Sequence, residues 1–116
     1  MIEITCKKDI EKLNKTDISY VFKTHIEKYL DEMLLRFGCE NLSNFGSIFI
    51  LESEKELETF SPSKASHFIN VGLVTPNNET FNITQLFFFE KSYAKIVFVD
   101  DRIIENYKTN KSVKVG

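Results

Sequence analysis

The stretch TDISYVFKTHIEKYLDEMLLRFG, residues 16–38, decides the fold of this chain. Thr16 or Asp17 offers a helix N-cap, and Gly38 offers the left-handed residue that commonly ends a helix. Between them, apolar side chains recur at spacings of three and four residues: Ile18, Val21, Phe22, Ile26, Tyr29, Leu30, Met33, Leu34 and Phe37. This spacing predicts one amphipathic helix about 30 Å long, enough to cross a whole sheet.

Apolar segments on both sides of this helix indicate strands and shorter helices. Strands are expected over 1–5, 47–52, 68–74, 81–89 and 93–99, and short helices over 54–60 and 102–107. The element order is then β-α-β-α-β-β-β-α, and its three consecutive strands with short links predict antiparallel pairing. We therefore expect an α+β fold. Its antiparallel sheet has four to five strands, the long N-terminal helix packs across one face, and two short helices complete it.

The length and composition indicate one domain. The chain has 116 residues, and 42% of them are apolar. That is enough to form a core without disulfides or a metal. We expect a single domain over 1–116. Its last residues, 108–116, contain three lysines and no acidic residue, and we expect them to form a frayed basic tail.

The strands have more apolar residues than one helix can cover. The segments 48–51, 86–89 and 96–99 are apolar on both faces. Either the short helices cover the second face, or that face contacts another protein, for example a second copy in a homodimer. We favour the covering helices and keep the homodimer as the alternative.

Charge and targeting signals exclude several classes of partner. The net charge is −2, and the only arginines are Arg36 and Arg102. Because a basic stripe is missing, we expect no nucleic-acid binding. The N-terminus is charged where a signal peptide is apolar, and no apolar run reaches the ~20 residues that span a bilayer. We therefore expect a cytoplasmic protein without membrane attachment, with Cys6 and Cys39 as free thiols.

Sequence patterns that hold cofactors or metals are also missing. The four glycines are too scattered for either phosphate-binding loop pattern. Two isolated cysteines and two histidines cannot form a standard structural zinc site by themselves. A thiol–imidazole pair of either cysteine with either histidine lacks a nucleophile elbow and a third orienting group. We expect no cofactor and no metal, and the sequence favours a protein without catalytic activity.

Two groups of acidic residues are the candidate partner-binding site. The first is an alternating row, Glu52, Glu54, Glu56 and Glu58, relieved only by Lys55. The second is the pair Asp100 and Asp101, which follows an apolar strand. An acidic surface attracts a basic protein and raises its association rate. The plainer interpretation is a solvated helix face for the row and a helix N-cap for one of the two aspartates.

A second candidate site is a cavity between the long helix and the sheet. Its polar groups would be His25, Tyr29, His67 and Asp100. Many α+β rolls hold ligands in such a place, which is an analogy at the level of the fold. The plainer interpretation of the histidines is that each lies at the boundary of the core.

These observations lead to two functional expectations. The first is a non-catalytic protein-binding module, a cytosolic inhibitor or an immunity protein that neutralises a toxin or nuclease. It would bind its basic partner through the acidic residues. The alternative is a small enzyme or ligand-binding roll that uses the cavity.

Overall fold

The computed structural model describes the backbone of residues 1–115 and the side chains of residues 1–109. Five strands form one sheet: β1 (Ile2–Ile4), β2 (Gly46–Ile50), β3 (His67–Val74), β4 (Thr80–Glu90) and β5 (Tyr93–Asp100). The α-helices are α1 (Tyr20–Phe37) and α2 (Asp101–Val115). Three short 3₁₀ helices span Lys7–Lys15, Glu54–Glu58 and Pro62–Lys64.

The long helix is present, and its predicted end is confirmed. Gly38 follows α1 in the left-handed conformation, with φ 61° and ψ 39°. The predicted start at Thr16 or Asp17 is wrong, because Ser19 is the N-cap and its Oγ accepts from a backbone N–H of the first turn. The hydroxyl of Thr16 is engaged elsewhere, since it donates to the carbonyl of Leu13 at 2.7 Å and closes the preceding 3₁₀ helix.

The sheet is mixed, so the prediction of a purely antiparallel sheet is wrong for one pair of strands. The strand order is β1-β2-β5-β4-β3. The pairs β5–β4 and β4–β3 are antiparallel, as the three consecutive strands predicted, and β1–β2 is antiparallel too. The strands β2 and β5 are parallel. The cause is the connection 51–66, which carries the chain from β2 to the far edge of the sheet. The meander then returns β5 to lie beside β2, and a connection of this length is what parallel strands require.

Each face of the sheet has its own core. Ile26 and Leu30 of α1 pack against Ile48 and Phe98 on the first face. On the second face, Leu57 of the connection and Ile104 of α2 pack with strand residues that include Val97 and Val99. The shorter helical segments therefore cover the second face over β2, β5 and β4, as we favoured. The side chains of β3 are mostly exposed.

Two segments are more helical than the sequence predicted. No helix was predicted over residues 6–15, but most of them form a 3₁₀ helix that buries Ile10 and Leu13. Helix α2 runs to Val115 rather than to Tyr107. The fraying of 108–116 stays a prediction, because Gly116 and the side chains of 110–115 lie outside the described residues. Within residues 1–115, no helix is both long and apolar enough to cross a membrane.

The parallel pair depends on a close approach at its first position, where Gly46 lies opposite Ala94. A Cβ atom on Gly46 would lie 2.1 Å from the Ala94 carbonyl oxygen. We expect Gly46→Ala to reduce the free energy of unfolding by about 3 kcal/mol, measured by urea denaturation. The control is Gly72→Ala, whose Cβ would meet only side-chain atoms at 3.3 and 3.4 Å. Equal losses in the two variants would show that the close approach of Gly46 to Ala94 does not determine the stability of the parallel pair.

Asp9 makes a pH-dependent contribution to the stability of the folded protein. Burial alone would raise the pKa of Asp9, but the Thr5 N–H at 2.9 Å and the Lys12 ammonium at 3.2 Å lower it below its usual value. The ionised form is therefore favoured on folding, so its stabilisation is present near neutral pH and is lost as the pH falls through the acidic range. We expect Asp9→Asn to destabilise the protein by up to about 1 kcal/mol at pH 7. In urea titrations the difference should disappear at acidic pH, and a constant difference would contradict this assignment.

Candidate functional site

A cleft of about 250 Å³ lies at the carboxyl end of the parallel strands, where α1 and α2 both begin. Its apolar walls are Ile18, Phe22, Leu51, Phe81 and Ile103. Its polar lining is Asp17, Ser19, Glu52, Asp100 and Arg102. The location follows from the parallel pair, since two parallel strands end at the same edge of the sheet. The lining contains three carboxylates and one cationic side chain, and the cleft is therefore acidic.

Asp100 makes two structural contacts in this cleft, both with Arg102. Its Oδ1 accepts from the Arg102 N–H at 2.8 Å and so caps α2, which confirms the plainer interpretation of this residue. Its Oδ2 also accepts from the Arg102 guanidinium at 2.6 Å. The carboxylate raises the pKa of Arg102. The guanidinium lies 5.8 Å from the ring centre of Phe81, within the range of a cation–π contact. The cleft thus already holds one guanidinium between a carboxylate and an aromatic ring.

Of the predicted acidic row, Glu52 lines this cleft and Glu56 is used inside the fold. The Glu56 carboxylate accepts from the N–H groups of Glu52 at 2.8 Å and Ser53 at 3.3 Å, and it pairs with the Met1 ammonium. Burial alone would raise the pKa of Glu56, but the ammonium and these N–H groups bring it below its usual value. Glu52 lies 3.5 Å from the same ammonium and is 43% exposed.

The other two members of the row lie outside the cleft lining. Glu54 is half-buried and Glu58 is exposed, both on the 3₁₀ helix that follows β2. A row that alternates in sequence was expected to present one acidic surface. The 3₁₀ turn and the capping role of Glu56 divide it instead, so that only Glu52 joins the carboxylates of the cleft.

Asp101 faces the opposite side of the sheet from Asp100. It lines a second cleft of about 180 Å³ between α2 and the strands β3 and β4. There Thr84, which is 5% exposed, lies within hydrogen-bond distance of both Asp101 and the Asn70 Oδ1. A hydroxyl donates one proton, and the charged carboxylate of Asp101 is the stronger acceptor. The two aspartates that were expected to act together therefore belong to different clefts.

The structure does not gather the residues of the predicted cavity. His25 and Tyr29 pack edge-on against Phe98, with ring centroids 5.8 and 5.3 Å apart. Burial raises the pKa of Tyr29, and the His25 Nε2 has no hydrogen-bond partner among the described residues. His67 is exposed on β3 beside Phe87. Asp100 lines the acidic cleft, and the other three residues do not.

The described side chains form neither a disulfide nor a cluster of metal ligands. Cys6 and Cys39 are both free thiols. Among residues 1–109, no group of three or more histidine, cysteine, aspartate or glutamate side chains is arranged to hold a metal ion.

Of the residues that line the acidic cleft, sequence reasoning had proposed only Glu52 and Asp100 as site residues. Asp17 was interpreted only as a helix cap, and Phe81 only as a strand residue. Both reach the cleft because α1 and β4 begin at the edge where β2 and β5 end. The sequence signal that could have found them is the length of the connection 51–66, which permits a parallel pair.

Comparison with known proteins found no match for this chain among protein-family models, curated proteins or solved structures.

The contact between Thr84 and Asp101 predicts a measurable coupling. Thr84→Val removes the buried donor, so we expect a loss of about 1–2 kcal/mol in the free energy of unfolding. Asp101→Ala should cost less in the Thr84→Val background than in the wild type, because the two changes remove one interaction. Thr80→Val, an exposed position on the same strand, is the control and should change stability by less than about 0.5 kcal/mol. Additive losses in urea denaturation would contradict the coupling.

Proposed function

We propose that this chain is a non-catalytic protein-binding module, a cytosolic inhibitor or toxin-neutralising protein, whose acidic cleft takes a basic side chain of its partner. The observation that carries the proposal is the composition of the cleft. Asp17, Glu52 and Asp100 line it together with a single cationic side chain, Arg102, which already pairs with Asp100. The Met1 ammonium near Glu52 is shared with a fourth carboxylate, that of Glu56. The cleft therefore has an excess of negative charge beside its apolar walls.

An arginine or lysine of a partner fits this arrangement chemically. Its methylene stem would contact the apolar walls, such as Ile18 and Phe22, while its charged end would reach the carboxylates of the lining. Asp17 has no hydrogen-bond or ion-pair partner among the described residues, so its carboxylate is available. Arg102 also indicates that a guanidinium fits this cleft, because its own guanidinium contacts the Asp100 carboxylate and the Phe81 ring here.

The charge distribution of the chain favours association with a basic protein. Residues 1–60 contain 8 lysines and arginines against 12 acidic residues, and they supply Asp17 and Glu52. A negative potential around the cleft raises the rate at which a basic partner finds it, more strongly at low salt. An inhibitor of a nuclease needs such a surface, since the active site that it covers is itself basic.

A ligand-binding role is the second candidate, and the position of the cleft favours it. Clefts outside the carboxyl ends of parallel strands are where open α/β sheets bind ligands. The acidic lining would select a small amine or guanidine compound. A catalytic role has less support, because His25, Tyr29 and His67 lie outside this cleft.

The test is co-purification from the source cells, followed by kinetics. The tagged protein is purified under native conditions, and the proteins that remain bound in stoichiometric amounts are identified by mass spectrometry. We expect one basic protein. We expect the double variant Asp17→Lys/Glu52→Lys to associate with it at least about tenfold more slowly at low salt, measured by surface plasmon resonance.

The matched control carries the same change of charge at the other end of the molecule. Glu40 and Glu90 are exposed beyond the end of α1 and at the end of β4, away from the cleft. Glu40→Lys/Glu90→Lys should slow association much less. Equal effects of the two double variants would show that the net charge of the protein, and not the cleft, determines the association rate. Retention of a small cationic compound instead of a protein would favour the ligand-binding role.

A further inference from the structure

The outer edge of β3 lacks the features that usually protect an edge strand. β3 has 8 residues, HFINVGLV, with no lysine, acidic residue or proline among them. Phe68 is 60%, Ile69 42% and Val74 68% exposed. Natural sheets protect long edges with charges, prolines, bulges or short strands. The opposite edge follows this rule, since β1 has only 3 residues and includes Glu3.

The register of β3 with β4 shows which backbone groups are directed outward. The Thr75 N–H donates to the Glu79 carbonyl at 2.8 Å, one step beyond the last registered pair, Val74 opposite Thr80. In an antiparallel ladder, hydrogen-bonded positions alternate with positions whose N–H and C=O face away. The outward groups of β3 are therefore those at even positions: Phe68, Asn70, Gly72 and Val74.

We propose that this edge binds the β3 strand of a second copy of the chain, antiparallel about a two-fold axis through Val71. This register places Phe68 opposite Val74 of the other copy, and Asn70 opposite Gly72. All four positions carry outward N–H and C=O groups, so the two strands form a continuous ladder. On the other face Ile69 lies opposite Leu73, which also joins apolar residues.

Charge and shape favour a second copy as the occupant. A two-fold axis pairs the strand with an identical strand, so a strand whose charges have one sign would repel its copy, while an uncharged strand does not. The register through Val71 also pairs large residues with apolar partners and places glycine opposite the polar Asn70. An axis through Asn70 would leave Phe68 opposite Gly72. An axis through Gly72 would place Phe68 opposite Pro76, which has no N–H to donate.

The proposed dimer is independent of the proposed function. None of the residues that line the acidic cleft belongs to β3. Pairing of the edges would join the two sheets into one and leave the acidic cleft open to a partner. Failure of the dimer would therefore leave the proposal on the cleft untouched, and the reverse also holds.

The first test is sedimentation velocity of the full chain with charged variants at the edge. We expect wild-type dimers at about 100 μM. Val74→Lys should weaken dimerisation at least about tenfold, because it places a lysine against the apolar edge. The double variant Phe68→Glu/Val74→Lys should recover the dimer, since the register places the two new charges opposite each other. Both positions are exposed, so the monomer should keep its fold, as checked by circular dichroism.

The second test determines the register by cross-linking. Val71 meets its own equivalent on the axis, at a position without ladder hydrogen bonds, where opposite Cα atoms lie about 4.5 Å apart. That separation suits a disulfide. Val71→Cys should therefore form a covalent dimer under mild oxidation. Leu73→Cys is the matched control and should not, because it lies opposite Ile69. The wild type, oxidised in parallel, controls for Cys6 and Cys39.

Two results would overturn the proposal. One is a wild-type protein that stays monomeric at about 100 μM. The other is a dimer that Val74→Lys does not weaken and that Val71→Cys does not link, since such a dimer would use another surface.

Discussion

The parallel pairing of β2 with β5 is the constraint on which the rest of this structure depends. It brings the carboxyl ends of two strands to one edge of the sheet, where α1 and α2 begin, and so creates the acidic cleft. It also requires the connection 51–66 to cross the second face, and that crossing supplies Leu57 and Phe60 to the second core. The pairing begins at Gly46, where the Ala94 carbonyl leaves no room for a side chain.

The alternation of side chains along β4 and β5 then distributes the polar groups. Asp100 ends β5 and joins the cleft on the α1 side, while Asp101 begins α2 and turns to the other side toward Thr84. One peptide bond therefore separates carboxylates that serve different surfaces. The cost of burying the Thr84 hydroxyl is offset by its hydrogen bond to Asp101. The polar residues of the second cleft therefore have a structural explanation without any ligand.

Local patterns in the sequence predicted most elements but not their arrangement. The spacing of apolar residues and Gly38 were enough for α1, because a helix is determined by neighbours along the chain. The start of α1 was misplaced, since Thr16 and Ser19 are both good caps and only the preceding 3₁₀ helix decides between them. The pairing of β2 with β5 depends on residues far apart in sequence. Glu52 and Asp100 were both assigned to the candidate partner-binding site, but the cleft that joins them to Asp17 depends on this pairing and was not predicted.

The two clefts differ in whether their charges are available to a partner. The Asp101 carboxylate accepts from the buried Thr84 hydroxyl, so it is already engaged inside the fold. The pair of Asp100 with Arg102 is different, because the Arg102 side chain is 78% exposed and such pairs contribute little to stability. Under the proposed function, an arginine from a partner would therefore exchange with Arg102 at small cost, and it would gain from the exclusion of water when the complex forms. The acidic cleft is the better candidate for binding because of this difference and because Asp17 has no partner among the described side chains.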